Sequence, residues 1–419
     1  MPHLAVDTTA GATMAVVRPL FCAALLLIAG VAHAEANPYY LGVSQAFAHD
    51  SNLYRTETLP QPDKYSITGL LAGIDQPFGR QRFYANGTVR ATRFEDVVEL
   101  NNTSYGLQAG LDWSTIEQLS GGFNVSLNES LANYGASADQ PQLTKKNLET
   151  TRQVGARVQL GLVSLLSLEG TLSHRRLGYS AIEYAGSVVS QNAVSLGLSY
   201  RPSGLLTLGS AFRVTRGEYP NLILASGDTA SFSRKDLDLT ATWFASGLST
   251  VNARMSFGRQ TSDALAQRDF SGTTGSISWA FLPTGKLTFN TSLSRDTGAE
   301  SSFYNINGTQ LSGTGDNSRL TTALAFTASY AATAKIKLNA GLRYSRRSLV
   351  NDQVINGVPV QSAEGVDSLK NLSLGATYEP TRHWQLGCNT VRDLRRATGG
   401  LSNSYSDTTA NCAAQFTLK

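Results

Sequence analysis

Few residues beyond position 34 could act as a nucleophile, a general base or a metal ligand. Three histidines, His49, His174 and His383, and two cysteines, Cys388 and Cys412, are spread thinly along the chain. Nucleophilic catalysis needs a base within hydrogen-bond reach of the nucleophile and a third group to orient that base. No histidine here falls with a serine and an acid in such an arrangement, no Cys/His spacing suits zinc, and no glycine-rich phosphate loop occurs. The chain is therefore read as a non-enzyme with no catalytic or metal-binding residue and no cofactor. The chemistry left to it is ionic. Arg90, Arg157, Arg213, Arg254, Lys337 and Arg343 share one phase of an alternating pattern with Asp112, Glu149, Glu169, Asp236 and Asp238. Mixed charge among many Ser, Thr, Asn and Gln residues describes a wetted lining. Each of these groups is a candidate either for a structural ladder of charge or for contact with a passing solute.

The elements that would carry them are short alternating strands. From Thr103 to Trp113 the odd positions are Thr, Tyr, Leu, Ala, Leu and Trp, and the even ones are Ser, Gly, Gln, Gly and Asp. From Ser120 to Leu127, Phe123, Val125 and Leu127 face one way and Ser120, Asn124 and Ser126 the other. Segments of about ten residues with this period, repeated along a chain, mark a transmembrane barrel, because one face meets lipid and the other a polar lumen. The pattern predicts an all-β, antiparallel outer-membrane barrel of about 18 strands, the first at Tyr39–Ala48 and the last at Thr408–Leu418. Such a barrel is wide enough to hold water.

The breaks between strands give an independent reading. Gln76–Gln81, Arg201–Gly204, Phe281–Gly285, Ala331–Ala334 and Glu379–Arg382 are short. They alternate with long polar stretches at Tyr134–Asn147, Gly217–Arg234, Thr297–Asn317, Arg346–Val366 and Asp393–Ser404. Outer-membrane barrels pair short periplasmic turns with long external loops, so both ends of the barrel domain are expected in the periplasm. Trp113, Tyr200, Trp243, Trp279, Tyr330 and Tyr378 close strands beside the short turns, where an interfacial girdle would stand.

Residues 1–34 read as a secretory signal. Arg18 precedes an apolar run from Leu20 to Val31, and Ala32-His33-Ala34 has the form of a cleavage site, with Met14 offering a second start of more ordinary length. The run is too short for the roughly twenty residues of a spanning helix. This leaves 35–419 as one barrel domain in the bacterial outer membrane, with surrounding lipid as its first partner. The net charge of +4 is no nucleic-acid footprint. Cys388 and Cys412 lie equally far from Gly400, on one face of a hairpin, and opposed residues there have β-carbons about 4.5–5.5 Å apart. A cross-strand disulfide is feasible; two reduced thiols serving as small apolar groups are the alternative.

Several short segments resemble the EpsL family of outer-membrane proteins, encoded in exopolysaccharide operons with exosortase systems. They are His49–Arg55, Arg80–Ala85, Tyr105-Gly106-Leu107 with Trp113, Leu119-Ser120-Gly121, Leu131–Tyr134, and Gly387-Cys388 with Cys412–Phe416. The resemblance implies a role in building or exporting an extracellular polysaccharide, as a polar conduit or scaffold working with the polymer and with periplasmic and inner-membrane synthesis proteins. It assigns no binding residue. The alternative from the residues alone is a general diffusion porin for small solutes, for which Gly217–Arg234 or Thr297–Asn317 could fold inward as a constriction. An outer-membrane enzyme is the remaining reading.

Overall fold

The computed structural model describes residues 37–419 except 117, 135–142, 162–164, 224–226, 264–268, 298–319 and 356–357, and leaves the side chains of 350–363 aside. The segment read as a signal lies outside the described residues. The strands are β1 (Tyr39–Asp50), β2 (Asp63–Phe78), β3 (Gln81–Phe94), β4 (Asn102–Ser114), β5 (Leu119–Leu131) and β6 (Leu148–Leu160). They continue as β7 (Leu166–Tyr179), β8 (Val189–Ser203), β9 (Leu206–Ile223), β10 (Thr229–Ser246), β11 (Ser249–Ser262) and β12 (Phe270–Thr284). The last are β13 (Leu287–Asp296), β14 (Leu320–Ala331), β15 (Ile336–Ile355), β16 (Val358–Tyr378), β17 (Trp384–Thr398) and β18 (Tyr405–Leu418). Each strand pairs antiparallel with the next, and β18 pairs with β1 from Leu41↔Leu418 to Asp50↔Thr409. The result is a closed 18-stranded barrel with no free edge.

Closure fixes two environments, and the side-chain pattern is inverted relative to a soluble protein. Large apolar residues such as Val43, Phe47, Leu70, Leu172, Leu196, Phe212 and Leu342 stand exposed on the outside. Buried side chains on the strands are mostly polar or charged and lie on the opposite phase, among them Asp50, Arg213, Asp236, Arg254, Ser256 and Asp367. An exterior so apolar is stable only against lipid, so the chain is a membrane-spanning barrel of the outer-membrane type. Tyr200, Trp243, Trp279, Tyr330 and Tyr378 are exposed on the outer face at the ends of their strands, with Trp113 half-buried beside them. Trp243 lies opposite Val251 and Leu206, and Tyr330 opposite Leu338 and Leu287. The short turns are tight: only Gly79 and Arg80 separate β2 from β3, with Gly79 at a φ of 62° that a hairpin turn demands and a β-carbon resists.

The external ends differ from the sequence expectation. Gly217–Arg234 is mostly strand, since β9 runs on to Ile223 and β10 begins at Thr229, and Arg346–Val366 is the tip of one long hairpin in which β15 and β16 pair up to Ile355↔Val358. The first half of Asp393–Ser404 is likewise strand, since β17 runs on to Thr398. Beyond the bilayer both faces meet water, so pairing continues there without the apolar/polar period that reveals it. Thr297–Asn317 lies, after Thr297, outside the described residues.

Two short 3₁₀ turns, Val98–Leu100 and Ile182–Ser187, belong to a compact external cap. Leu53, Tyr54, Phe94, Leu100, Tyr134, Leu143, Ala181 and Tyr184 bury one another there, with Tyr54 edge-on to Tyr134 at 5.2 Å between ring centroids. Phe94, Tyr65 and Tyr179 join it from the inward phase of β3, β2 and β7, so the cap rests on the inner wall at the external mouth.

Candidate functional site

The lumen wall is where this fold can meet a solute, and the register decides which side chains reach it. All eleven charged residues expected to line it lie on the inward phase, opposite the exposed apolar positions of their own strands. They fall into two groups. The first group is locked. Arg213 reaches Asp236 at 3.3 Å and Asp238 at 3.2 Å, and Arg254 reaches Asp296 at 2.8 Å. Lys337 pairs with Glu379 at 3.3 Å near the opposite rim, and Glu149 acts electrostatically on Arg175.

The locked set includes residues the sequence reading did not name. Arg234 donates through Nε to both carboxylate oxygens of Asp236 at 2.9 Å and through Nη1 to Thr297 Oγ1 at 2.6 Å. Ser256 donates to Asp238. Three arginines and three aspartates on β9, β10, β11 and β13 thus form one continuous lattice, and almost every member is shut off from solvent. A second lattice covers β15 to β18 and β1. Arg347 holds Asp367 through two hydrogen bonds, of 2.9 and 2.5 Å, and Arg395 lies over the Tyr405 ring at 4.9 Å. Asn371 donates to Asp393 at 2.6 Å.

The link from this second lattice to the cap is the loop after β1. Asp50 and Asp407 face the lumen from β1 and β18, and Arg55, at a φ of 54°, reaches back to them at 2.9 and 3.2 Å. Asn52 fixes the loop by donating Nδ2 to the Thr56 and Ser406 carbonyls and accepting the Thr56 amide through Oδ1. Ser51 donates to Asp407 at 2.9 Å and accepts the Thr408 amide. Residues 51–62 are therefore a segment that folds onto the mouth, whereas Gly217–Arg234, considered for a constriction, is mostly strand; Thr297–Asn317 lies, after Thr297, outside the described residues. Burial works against the charge of Arg55, yet hydrogen bonding and attraction from Asp50, with Asp407, hold its pKa above the ordinary value. Burial in the cap likewise raises the phenol of Tyr134, and that of Tyr54 with help from Glu99 and Asp63.

The second group is not locked. Among the described residues Arg90, Arg157, Arg343, Asp112 and Glu169 form no ion pair, although Asp393 acts on Arg343 across the lining. Arg157 and Glu169 belong to a recess of about 440 Å³ in the inner wall of β5 to β11, whose other walls include Gln153, Thr171, Ser195 and Thr240. Arg213, Asp238 and Arg254 of the first lattice form its rigid flank. A recess of this size, with hydroxyls, the two amides of Asn124 and Gln153 and both signs of charge, can hydrogen-bond a hydrated small molecule without trapping it.

Cys388 and Cys412 are opposed in the register and joined, with 4.1 Å between their α-carbons. They occupy the lipid-facing phase with Trp384, Leu386 and Phe416, so the bridge staples the outer wall and takes no part in the lumen. No group of metal-ligating side chains occurs among the described residues.

No protein-family model matches the chain, and no curated protein matches it. Among solved structures, OccK2 (OpdF) of Pseudomonas aeruginosa is similar at 14% identity and a TM-score of 0.49, covering 91% of this chain and 97% of that one. The outer membrane protein OpdK of the same organism is similar at 14% identity and a TM-score of 0.46, with 91% and 98% covered. OpdQ, also from Pseudomonas aeruginosa, has 11% identity and a TM-score of 0.47, with 91% and 98% covered. No residue role passes from these proteins to this chain.

Proposed function

We propose that this chain is a passive outer-membrane channel for small hydrophilic solutes, exported with the help of its N-terminal leader, and not an enzyme. The observation that carries the reading is the division of the lining. Two locked lattices brace the wall, while Arg157 and Glu169 stand unpaired in a polar recess beneath a mouth narrowed by the loop after β1. Paired buried charges have no capacity left for a solute; unpaired ones at a wet surface do. The test is reconstitution of the purified barrel in planar lipid bilayers. Discrete conductance steps are expected, with Arg157→Ala shifting the reversal potential in a salt gradient toward cations and Glu169→Gln toward anions. A barrel that gives no steps, or whose selectivity ignores both changes, overturns the proposal.

A second reading is that the barrel serves biosynthesis or export of an extracellular polysaccharide, alongside periplasmic and inner-membrane partners. What favours it is the resemblance of His49–Arg55 and Cys412–Phe416 to the EpsL family; both lie at the β1–β18 closure, with Cys412–Phe416 opposite Phe47–Val43 and His49 opposite Ala410. Deleting the gene separates the two: loss of secreted polymer with normal solute uptake speaks for this reading, and slowed uptake with intact polymer for the first.

A further inference from the structure

The outer face at the external end carries a feature that neither the lumen nor a passive channel uses. Following one row of the register from β13 to β17 gives Arg295, Thr322, Arg346, Ser368 and Arg396, each directly opposite the next. All three arginines are exposed on the lipid-facing phase, and strands about 4.8 Å apart place successive guanidinium groups about 10 Å from one another with a hydroxyl between. The row below it reads Leu293, Leu324, Tyr344, Lys370 and Leu394, and the next brings Phe326, Leu342, Leu372 and Arg392. In these three rows the outer face holds five cations and no carboxylate. Among the described residues none of the five forms an ion pair; Arg392 donates only to the Thr408 hydroxyl.

The charge pattern continues round the wall in a form that a bare protein surface disfavours. Arg152 lies directly opposite Arg176, and Lys235 directly opposite Arg259, all on the outer phase. Like charges directly opposed on neighbouring strands repel, and cations are costly on a lipid-facing wall except near the interface. An anion shared between them removes both penalties. Arginine forks match phosphate geometry, and interfacial hydroxyls add donors. The apolar side chains of the two rows beneath, at their β13–β15 end (Leu293, Leu324, Phe326 and Leu342), are where acyl chains of the same molecule would lie.

We propose that the outer wall of β13–β17 is a binding surface for phosphate-bearing lipids of the external leaflet, with Arg295, Arg346 and Arg396 holding the head-group phosphates and Leu293, Leu324 and Leu342 the chains. The full barrel, purified in detergent, would be titrated with bisphosphorylated lipid A and, separately, with phosphatidylcholine as a lipid of no net charge, with bound lipid counted by native mass spectrometry. The expected result is retention of lipid A over phosphatidylcholine, reduced at least tenfold by Arg295→Gln/Arg346→Gln/Arg396→Gln and kept by the three lysine replacements. An equal loss of charge at the other rim, Arg80→Gln/Lys335→Gln/Arg382→Gln, is expected to leave retention unchanged, which separates a local site from net charge. Heat-modifiable gel migration checks that each variant is folded. Equal retention of the two lipids, equal loss in both triple variants, or full displacement of lipid A by millimolar inorganic phosphate would overturn the proposal, the last by showing a site for free anions.

Discussion

Replacing Cys388 and Cys412 together by alanine isolates a contribution whose size follows from the topology. The bridge closes a loop with a sequence separation of 24. Chain-entropy arithmetic for a loop of about that length gives roughly 3.5 kcal/mol of stabilisation at 25 °C through restriction of the unfolded chain. The alanines cost little in themselves, because both positions face lipid on a wall that already includes Ala410 and Ala414. Urea unfolding of the barrel in lipid vesicles, followed by tryptophan fluorescence, should therefore show the double variant less stable by about 2–4 kcal/mol. Dithiothreitol should bring the wild-type protein to the same midpoint and leave the variant where it is. A variant within about 0.5 kcal/mol of wild type, the range of ordinary surface substitutions, would refute the reasoning. It would mean that the hairpin holds together in the unfolded chain without the bridge.

Two further outcomes follow from the wall. Leu342→Arg, on the lipid-facing phase amid Phe326 and Leu372, should cost about 2–4 kcal/mol, whereas Ser348→Arg, higher on the same strand, should cost about 0–1 kcal/mol; equal costs in the same vesicle titration would misplace the bilayer. Asp236→Ala should destabilise by about 3–5 kcal/mol, since Arg234 loses the carboxylate it holds at 2.9 Å and Arg213 loses one of its two, in a buried setting. A thermal shift no larger than that of Thr240→Ala would show that lumen water already solvates the lattice.

How much of this was legible in the sequence depends on the force that set each part. Alternation reports the lipid boundary, so β5 and β6 are found at Leu119–Leu131 and Leu148–Leu160 as read, and the opposition of Cys388 and Cys412 follows from the hairpin midpoint. Above the bilayer the same period loses its cause. The alternation puts Arg234 at the end of one loop and Arg347 inside another, so it singles out neither anchor of the lattices, although both lie on the continued inward phase of β10 and β15. Asp367, just beyond that second loop, is hidden for the same reason. The cap was hidden differently: Tyr54, Tyr134 and Tyr184 come from separate connections, and only the closed cylinder brings them together. The motif His49–Arg55 showed no role as a string; in the structure it is the lock of the mouth.

That lock has a consequence for the order of assembly. Ser51 and Asp407 are 356 residues apart, and the partners of Arg55 come from the first and last strands of the barrel. Until β18 arrives in register, Arg55 has Asp50 alone and Asn52 lacks the Ser406 carbonyl, so the mouth loop has half of its anchors. Completion of the cylinder and docking of the loop are therefore one event, and a chain stalled before its final strand would keep residues 51–62 open to a protease. The loop acts as a receipt for closure: it becomes resistant to cleavage only in molecules whose two ends have met.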